Sequence, residues 1–370
     1  MMNRKRKLCI IIPTHWSARM GGSQYQAKCL IDRLIPEDRF EIFYLTKRCN
    51  NRSPAHGYQI VKINEMKNIS RYAFFLDTFS LLKHLNQIQP DVIYQRVGCA
   101  HTGIAAYYAK KNGSKMVWHI ASDTDVLPFR EAKSMKKGLN YVDKRILEYG
   151  IKSSAHIVAQ THRQSECLKK YYRREPTAVI RNFHPLPKEA IWKTGPLKLV
   201  WISNFKPLKQ PESFIRLARD LRSLSGEVRF IMIGAPCLWP SGWQNALERE
   251  IHEVKNLSYL GACSLEQVNS ILAEAHILVN TSLYEGFPNT FIQAWMRKVP
   301  VVSLNCNPDD VFDRNQVGFY CGTHEKMVDR VTALIRDPVE RLKIGENARN
   351  FAFESYSERN MESLIELLKC

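Results

Sequence analysis

Short apolar runs alternate with stretches of helical spacing along almost the whole of this 370-residue chain, and few folds accept that pattern. In the first half the runs are LCIIIP (8–13), FEIFYL (40–45), YQIVKI (58–63), DVIYQR (91–96), KMVWHI (115–120), HIVAQ (156–160) and TAVIRN (177–182), with AKCLIDRL, FLDTFSLLKHL and KRILEYGIKSS between them. The second half repeats the scheme with KLVWIS (198–203), VRFIMIG (228–234), LSYLG (257–261), HILVNT (276–281) and PVVSL (300–304). Strands that alternate with helices predict βαβ units and parallel sheets. The runs lack a clean in–out alternation, as strands covered on both faces do.

The pattern starts afresh near residue 198, after NFHPLPKEAIWKTGPLK, a stretch that reads as an interdomain linker. At this length two domains are the natural division. The expected fold is α/β, two Rossmann-like domains with parallel sheets facing a central cleft, and residues 340–370 read as helical throughout. Open parallel sheets bind ligands at the carboxyl ends of their strands, so the cleft is the default site and the residues just after each strand are its candidates.

The net charge of +18 lies in the first half: residues 1–197 hold 34 Lys and Arg against 15 Asp and Glu, and residues 198–370 hold 20 against 21. A basic domain joined to a near-neutral one favours an anionic partner over a merely solvated surface: a phosphate-bearing acceptor, an acidic membrane face or nucleic acid. The stretches 131–154 and 168–176 mix Lys and Arg with Tyr, Leu and Ile, which suits an anionic interface or an ordinary exposed helix equally. Ten scattered cysteines without a CxxC pair read as buried reduced thiols. No apolar run is long enough to span a bilayer, and Leu8–Ile12 is too short for a signal-peptide core.

Four stretches that follow strands carry chemistry. Gly21-Gly22 precede a helical pattern and let backbone N–H groups approach an anion, although GxGxxG is absent. His119 ends the fifth strand, where it can bond sugar hydroxyls or assist proton transfer or simply be structural; Asp123 and Asp125 behind it read as turn caps. Lys206 and Lys209 follow the first strand of the second half and suit a pyrophosphate. In SLYEGFPNTFIQAW (282–295), Glu285 stands ahead of a helix that begins near Asn289 or Thr290, either of which can cap it. The free N–H groups of that helix suit phosphates, and the carboxylate suits sugar hydroxyls. Asp309-Asp310 reads as a cap rather than a metal motif.

These residues resemble the family 4 retaining glycosyltransferases of GT-B fold, of the bacterial cell-surface polysaccharide type. The resemblance rests on NTSLYEGFPNTFIQAWMRKVPVV, SNFKPLKQPESF, the Gly-Gly loop, His119, AHIVAQTHRQ (155–164), VIRNFHP (179–185), GAP (234–236) and LGACSLEQV (260–268). It implies an acceptor-binding domain over 1–190, a nucleotide-sugar-binding domain over 191–350, and a C-terminal helix (351–370) crossing back to the first. It implies that Lys209 clasps the diphosphate and that Glu285 contacts the donor sugar, with His119 near that sugar. Gly21 and Gly22 would meet the diphosphate from the other side. The backbone of Gly286, Phe287, Pro288, Asn289 and Thr290 would line sugar and phosphates, and the backbone around Gly234 and Gly261 the base. There are two departures: Asn204 stands where the family often has Arg, with Lys206 nearby, and Gln293 stands in place of a second Glu that holds the ribose.

The implied activity is retaining, metal-independent sugar transfer from a UDP- or GDP-sugar to a saccharide or lipid-linked saccharide, with no cofactor. The implied place is the cytoplasm, with the basic domain able to sit on the inner membrane face. Nucleic acid is not expected as a partner. The alternatives are a non-catalytic nucleotide-sugar-binding protein, a glycosyltransferase acting on nucleic acid, and a nucleotide-sugar epimerase.

Overall fold

A computed structural model describes residues 4–50, 56–63, 73–128, 139–191, 193–224, 226–236 and 242–369. The chain forms two compact units: residues 1–183 with 358–370, and residues 184–357. Each is an α/β unit built on one parallel sheet.

The first sheet has the strands β1 (Arg6–Ile11), β2 (Phe40–Thr46), β3 (Gln59–Lys62), β4 (Val92–Arg96), β5 (Lys115–His119), β6 (His156–Ala159) and β7 (Ala178–Val179) in the order 3-2-1-4-5-6-7. The second has β8 (Leu197–Ile202), β9 (Val228–Ile233), β10 (Leu257–Tyr259), β11 (Ile277–Asn280), β12 (Val301–Ser303) and β13 (Gly318–Tyr320) in the order 10-9-8-11-12-13. The two orders share one logic. Each sheet grows in one direction from its first strand and then in the other, so the order reverses between β1 and β4 and between β8 and β11. Loops diverge there and leave a crevice at the carboxyl edge.

The central strands are apolar because helices cover both faces. Leu8 to Ile12, Leu199 and Val200, and Ile277 to Val279 are all buried. In the first unit the helices Ala100–Asn112 and Leu139–Ser153 meet at Gly103 and Gly150. A Cβ on Gly103 would stand 2.0 Å from the Ile146 carbonyl oxygen, and one on Gly150 would stand 2.7 Å from the Gly103 nitrogen. Gly103→Ala is therefore expected to force the helices apart and cost about 1–3 kcal/mol, read as a lower midpoint of thermal unfolding. An unchanged midpoint would show that the helix pair tolerates separation.

The residues expected as one long terminal helix form two, Pro338–Ser355 and Glu358–Lys369. The break falls at Tyr356, whose ring is buried against Phe287 and Phe351 in the second unit. The helix after the break belongs to the first unit. There Arg6 Nη1 donates to the Lys369 carbonyl, Lys115 Nζ bonds the Leu367 carbonyl, and Lys369 Nζ lies 3.2 Å from Glu37. Two cations thus meet the negative end of the helix, where they satisfy carbonyls that have no partner within it.

The eight cysteines among the described residues form no disulfide with one another. No helix among those residues is long and apolar enough to cross a membrane.

Candidate active site

In the second unit, the loops after β8 and β11 leave either side of the strand-order reversal. Lys209 closes a short 3-10 turn, Pro207–Lys209, in the loop after β8, and Glu285 lies in the loop after β11. The two side chains form an ion pair, each about one-fifth exposed. The same Glu285 oxygen accepts from Ser282 Oγ at 2.8 Å.

The loops that carry them are tied together. Thr281 Oγ1 donates to the Lys209 carbonyl at 2.7 Å and accepts from Trp201 Nε1 at 2.8 Å, and the Leu283 N–H donates to the Leu208 carbonyl at 2.9 Å. A carboxylate and an ammonium are thereby held together on braced backbone, one able to accept from hydroxyls and the other to neutralise an anion. Lys206, in the same loop, is exposed.

Asn289 begins the helix Asn289–Trp295, but Pro288 occupies the cap position and no side chain caps the helix. Asn289 Oδ1 instead pairs with His184 Nε2 at 2.9 Å, which binds the start of the unit to the site loop. Burial pushes the His184 imidazole down to about 4, so it is neutral and donates to that oxygen. At seven residues the helix has a modest dipole, so anion binding here must rest chiefly on the lysines. Phe287 is turned into the core against Tyr356 and Trp295, leaving only its backbone for a ligand.

Gln293 is buried in that helix and donates from Nε2 to Asn269 Oδ1 at 3.1 Å. One of its two amide N–H donors is engaged by the protein, which leaves the carbonyl oxygen and the second N–H. For a nucleotide bound through that oxygen, as the resemblance implies, Gln293→Glu should keep the fold, with Asn269 turning its amide to donate, and tighten binding by roughly two- to tenfold through charge assistance. Titration calorimetry with UDP checks this; abolished binding would mean that the ligand uses the amide nitrogen.

Asn204 Oδ1 accepts from the Ala235 N–H at 3.3 Å and so holds the loop after β9. Gly234 packs so closely that a Cβ would lie 1.7 Å from the Ser203 carbonyl oxygen, and its N–H bonds the Gly261 carbonyl at 2.8 Å. These bonds tie together the loops after β8, β9 and β10. Asp310 sits at a helix start without a side-chain cap bond, contrary to the capping role expected for it, and lies 3.7 Å from Arg314. Among the described residues no three His, Cys, Asp or Glu side chains gather as metal ligands.

In the first unit, Gly21 caps and Gly22 begins the helix Gly22–Leu34, after β1. His119 ends β5 and is buried. Its Nδ1 lies 2.9 Å from Tyr94 Oη and 3.3 Å from Arg96 Nη1. A guanidinium only donates, so Nδ1 is the acceptor and the ring proton sits on Nε2. Burial, and then the Arg96 charge, hold the imidazole well below its usual range, against the Ile180 carbonyl, which opposes them. His119 is thus a fixed neutral donor. Arg96 also donates to Asn182 Oδ1 at 2.7 Å. Asp125 accepts from the Ala121 and Ser122 N–H groups at 2.9 and 3.0 Å, in a capping box begun by Ser122.

Four of these contributors escaped the sequence reading: Ser282, His184, Asn269 and Arg96. Ser282 alone had a visible signal, lying three residues before Glu285 just after a strand. The others act through partners distant in sequence. A separate cavity of about 460 Å³ in the first unit, edged by Arg6, Asp91 and Lys115, opens at the amino ends of the strands, away from this chemistry.

Residues 184–351 match the family model for glycosyl transferases group 1. A curated relative, the poly(ribitol-phosphate) alpha-N-acetylglucosaminyltransferase of Staphylococcus aureus (strain COL), is 25% identical over 169 residues. That alignment covers 45% of this chain and 33% of the relative, so the match spans about a third of the relative's length. Among solved structures, sucrose-phosphate synthase (tll1590) from Thermosynechococcus elongatus superposes with a TM-score of 0.81 at 11% identity, covering 99% of this chain and 98% of that one. Anabaena Alr3699/HepE, in complex with UDP and glucose, gives 0.74 at 15% identity over 98% and 99%. Taken with the two parallel sheets, these similarities show that the chain has the GT-B fold and that residues 184–351 resemble the group 1 glycosyl transferases.

Proposed function

We propose that the chain transfers a sugar, with retention of configuration and without an essential metal, from a nucleoside-diphosphate sugar to a saccharide or lipid-linked saccharide of a cell-surface polysaccharide. The observation that carries this reading is the Lys209–Glu285 pair on the loops that flank the strand-order reversal of the second sheet. Lys209, assisted by Lys206, neutralises the charge that grows on the departing diphosphate. Glu285 orients the donor sugar through its hydroxyls. No protein base is needed if the departing phosphate oxygen takes the acceptor proton. The relatives support the donor class: one structure holds UDP and glucose, and the curated relative is named for N-acetylglucosamine transfer to a poly(ribitol-phosphate).

The deciding experiment is a thermal-shift panel of nucleoside diphosphates and their sugars, because a ligand bound only by the folded state raises the melting midpoint by mass action. A shift with UDP, GDP or one of their sugars is expected. No shift with any of them would refute the reading. Product of inverted anomeric configuration, read by proton NMR, would refute retention.

The helix Leu139–Ser153 favours a further reading, attachment to an anionic membrane surface. It leaves Leu139, Tyr141, Val142 and Tyr149 exposed beside Arg145 and Lys152. Residues 131–138 of the same basic stretch lie outside the described residues. Co-sedimentation with anionic liposomes that weakens as salt rises is the expected result; absent or salt-insensitive co-sedimentation would exclude it.

A further inference from the structure

The segment that leaves β1 carries an aromatic group that the donor chemistry does not use. His15, Trp16, Tyr44 and Tyr58 pack together over the β2 side of the first sheet. The Trp16 ring lies 3.9 Å from the His15 ring, 5.3 Å from Tyr44 edge-on, and 5.6 Å from Tyr58 at an interplanar angle of 44°. His15 and Tyr44 are buried, whereas Trp16 and Tyr58 are partly exposed. Tyr44 is a fixed base, with its hydroxyl donating to the Thr14 carbonyl at 3.2 Å.

The hydrogen bonds set a direction. Ser17 donates to His15 Nδ1 from its backbone N–H at 3.1 Å, and its Oγ lies 2.7 Å from the same nitrogen. Ser17 Oγ itself accepts from the Asn50 N–H at 3.0 Å, which leaves its proton for His15. With Nδ1 an acceptor, the ring proton is on Nε2, which lies 3.0 Å from Tyr58 Oη. Tyr58 therefore accepts from His15, and its own proton points elsewhere. Burial lowers the His15 imidazole to about 4 and raises the Tyr58 phenol to about 12, so both are neutral across the physiological range. A half-exposed tyrosine whose hydroxyl is left to donate, packed against a half-exposed tryptophan, makes an aromatic platform with one hydrogen bond to give.

We infer that Trp16 and Tyr58 form a stacking subsite for a pyranose ring, the ring of the acceptor if the chain is a sugar transferase as proposed above. One face of a pyranose presents C–H bonds with slight positive charge, which suits the negative face of an indole, and its hydroxyls project from the rim. The subsite follows the common form of small-molecule sites, apolar and aromatic surface with few directed polar groups.

Saturation-transfer NMR on the full chain tests this, with the methyl glycosides of glucose, galactose, mannose and N-acetylglucosamine as probes. At least one should receive saturation concentrated on the ring protons of one face. Trp16→Leu, which keeps an apolar side chain against Tyr44, should abolish that signal, and Tyr58→Phe should at least halve it. Both variants should keep the wild-type thermal shift with UDP, since that ligand is assigned to the other unit. Saturation in neither wild type nor variant, or saturation unchanged by Trp16→Leu, would overturn the inference, as would binding of free nucleosides in place of glycosides. Glycoside binding without any nucleotide shift would instead refute the transferase reading and leave the subsite standing.

Discussion

Lys209→Met is expected to lower sugar transfer by about 100- to 1,000-fold, the usual cost of removing one group that stabilises a leaving anion. The ammonium is the chief loss, because methionine keeps an unbranched apolar side chain of similar length. The fold should hold: the Lys209–Glu285 pair is partly exposed, and such pairs contribute about 1 kcal/mol or less. Glu285 also keeps Ser282 as a partner. Glu285→Gln should reduce turnover by about 100-fold through lost orientation of the donor sugar. It should weaken nucleotide binding far less than Lys209→Met does, because the carboxylate is assigned to the sugar. The two losses should not add, since the residues contact each other and share one substrate. Steady-state kinetics on the single and double variants, with melting curves as folding controls, decide the matter. Near-normal turnover in either single variant would remove that residue from the site.

A second large effect is expected in the interior of the first unit. Lys47 lies 2.8 Å from Asp77, and His101 Nε2 lies 2.8 Å from the same oxygen; all three are buried. Burial lowers the His101 imidazole, so it is neutral and the Asp77 charge answers that of Lys47. Asp77→Ala leaves an ammonium in the interior without its closest counter-charge, at a cost of about 3 kcal/mol or more. The melting midpoint should fall by roughly 6–12 °C for a unit of this size.

Neighbouring Asp143 predicts the opposite sign. Burial, reinforced by repulsion from Asp77, raises its carboxyl to about 6 even though the Phe75 N–H donates to it at 2.8 Å. A carboxyl raised above its unfolded value favours the folded state while protonated. That contribution is complete below about pH 4 and is lost as pH rises through 6. Asp143→Asn keeps the acceptor for Phe75 and removes the charge. It should stabilise the protein by about 1–2 kcal/mol at pH 7.5 and flatten the melting midpoint between pH 4 and 6. A destabilised Asp143→Asn protein at pH 7.5 would contradict this account.

Much of the fold could be read because the central strands are buried on both faces and stand out as unbroken apolar runs. The three-residue edge strand Gly318–Tyr320 was too short to stand out. The helix Ala100–Asn112 was missed for a different reason: nine of its thirteen residues are buried, His101 and Thr102 among them, so it has no polar face to set a period. The break at Tyr356 has no glycine or proline to announce it; a ring buried in one unit and a helix docked in the other make it. The same division runs through the site. That Lys209 and Glu285 meet could be expected from the sequence because each lies in the loop after a strand, and topology brings such loops together. The Arg96–Tyr94–His119 cluster was not, because its meaning is a tautomer set across two strands, and no local pattern encodes that.

The docking of the helix Glu358–Lys369 on Arg6 and Lys115 has a bearing on biosynthesis. Ribosomes make this chain from its first residue, yet the first unit includes residues 358–370. The whole second unit is therefore synthesised while the earlier one still lacks a piece of its own surface. Until that helix arrives, Arg6 and Lys115 lack the carbonyl partners they hold in the finished protein. Released chains that end at residue 357 should show a protease-resistant second unit next to a more readily digested first one. The order of maturation would then be the reverse of the order of translation.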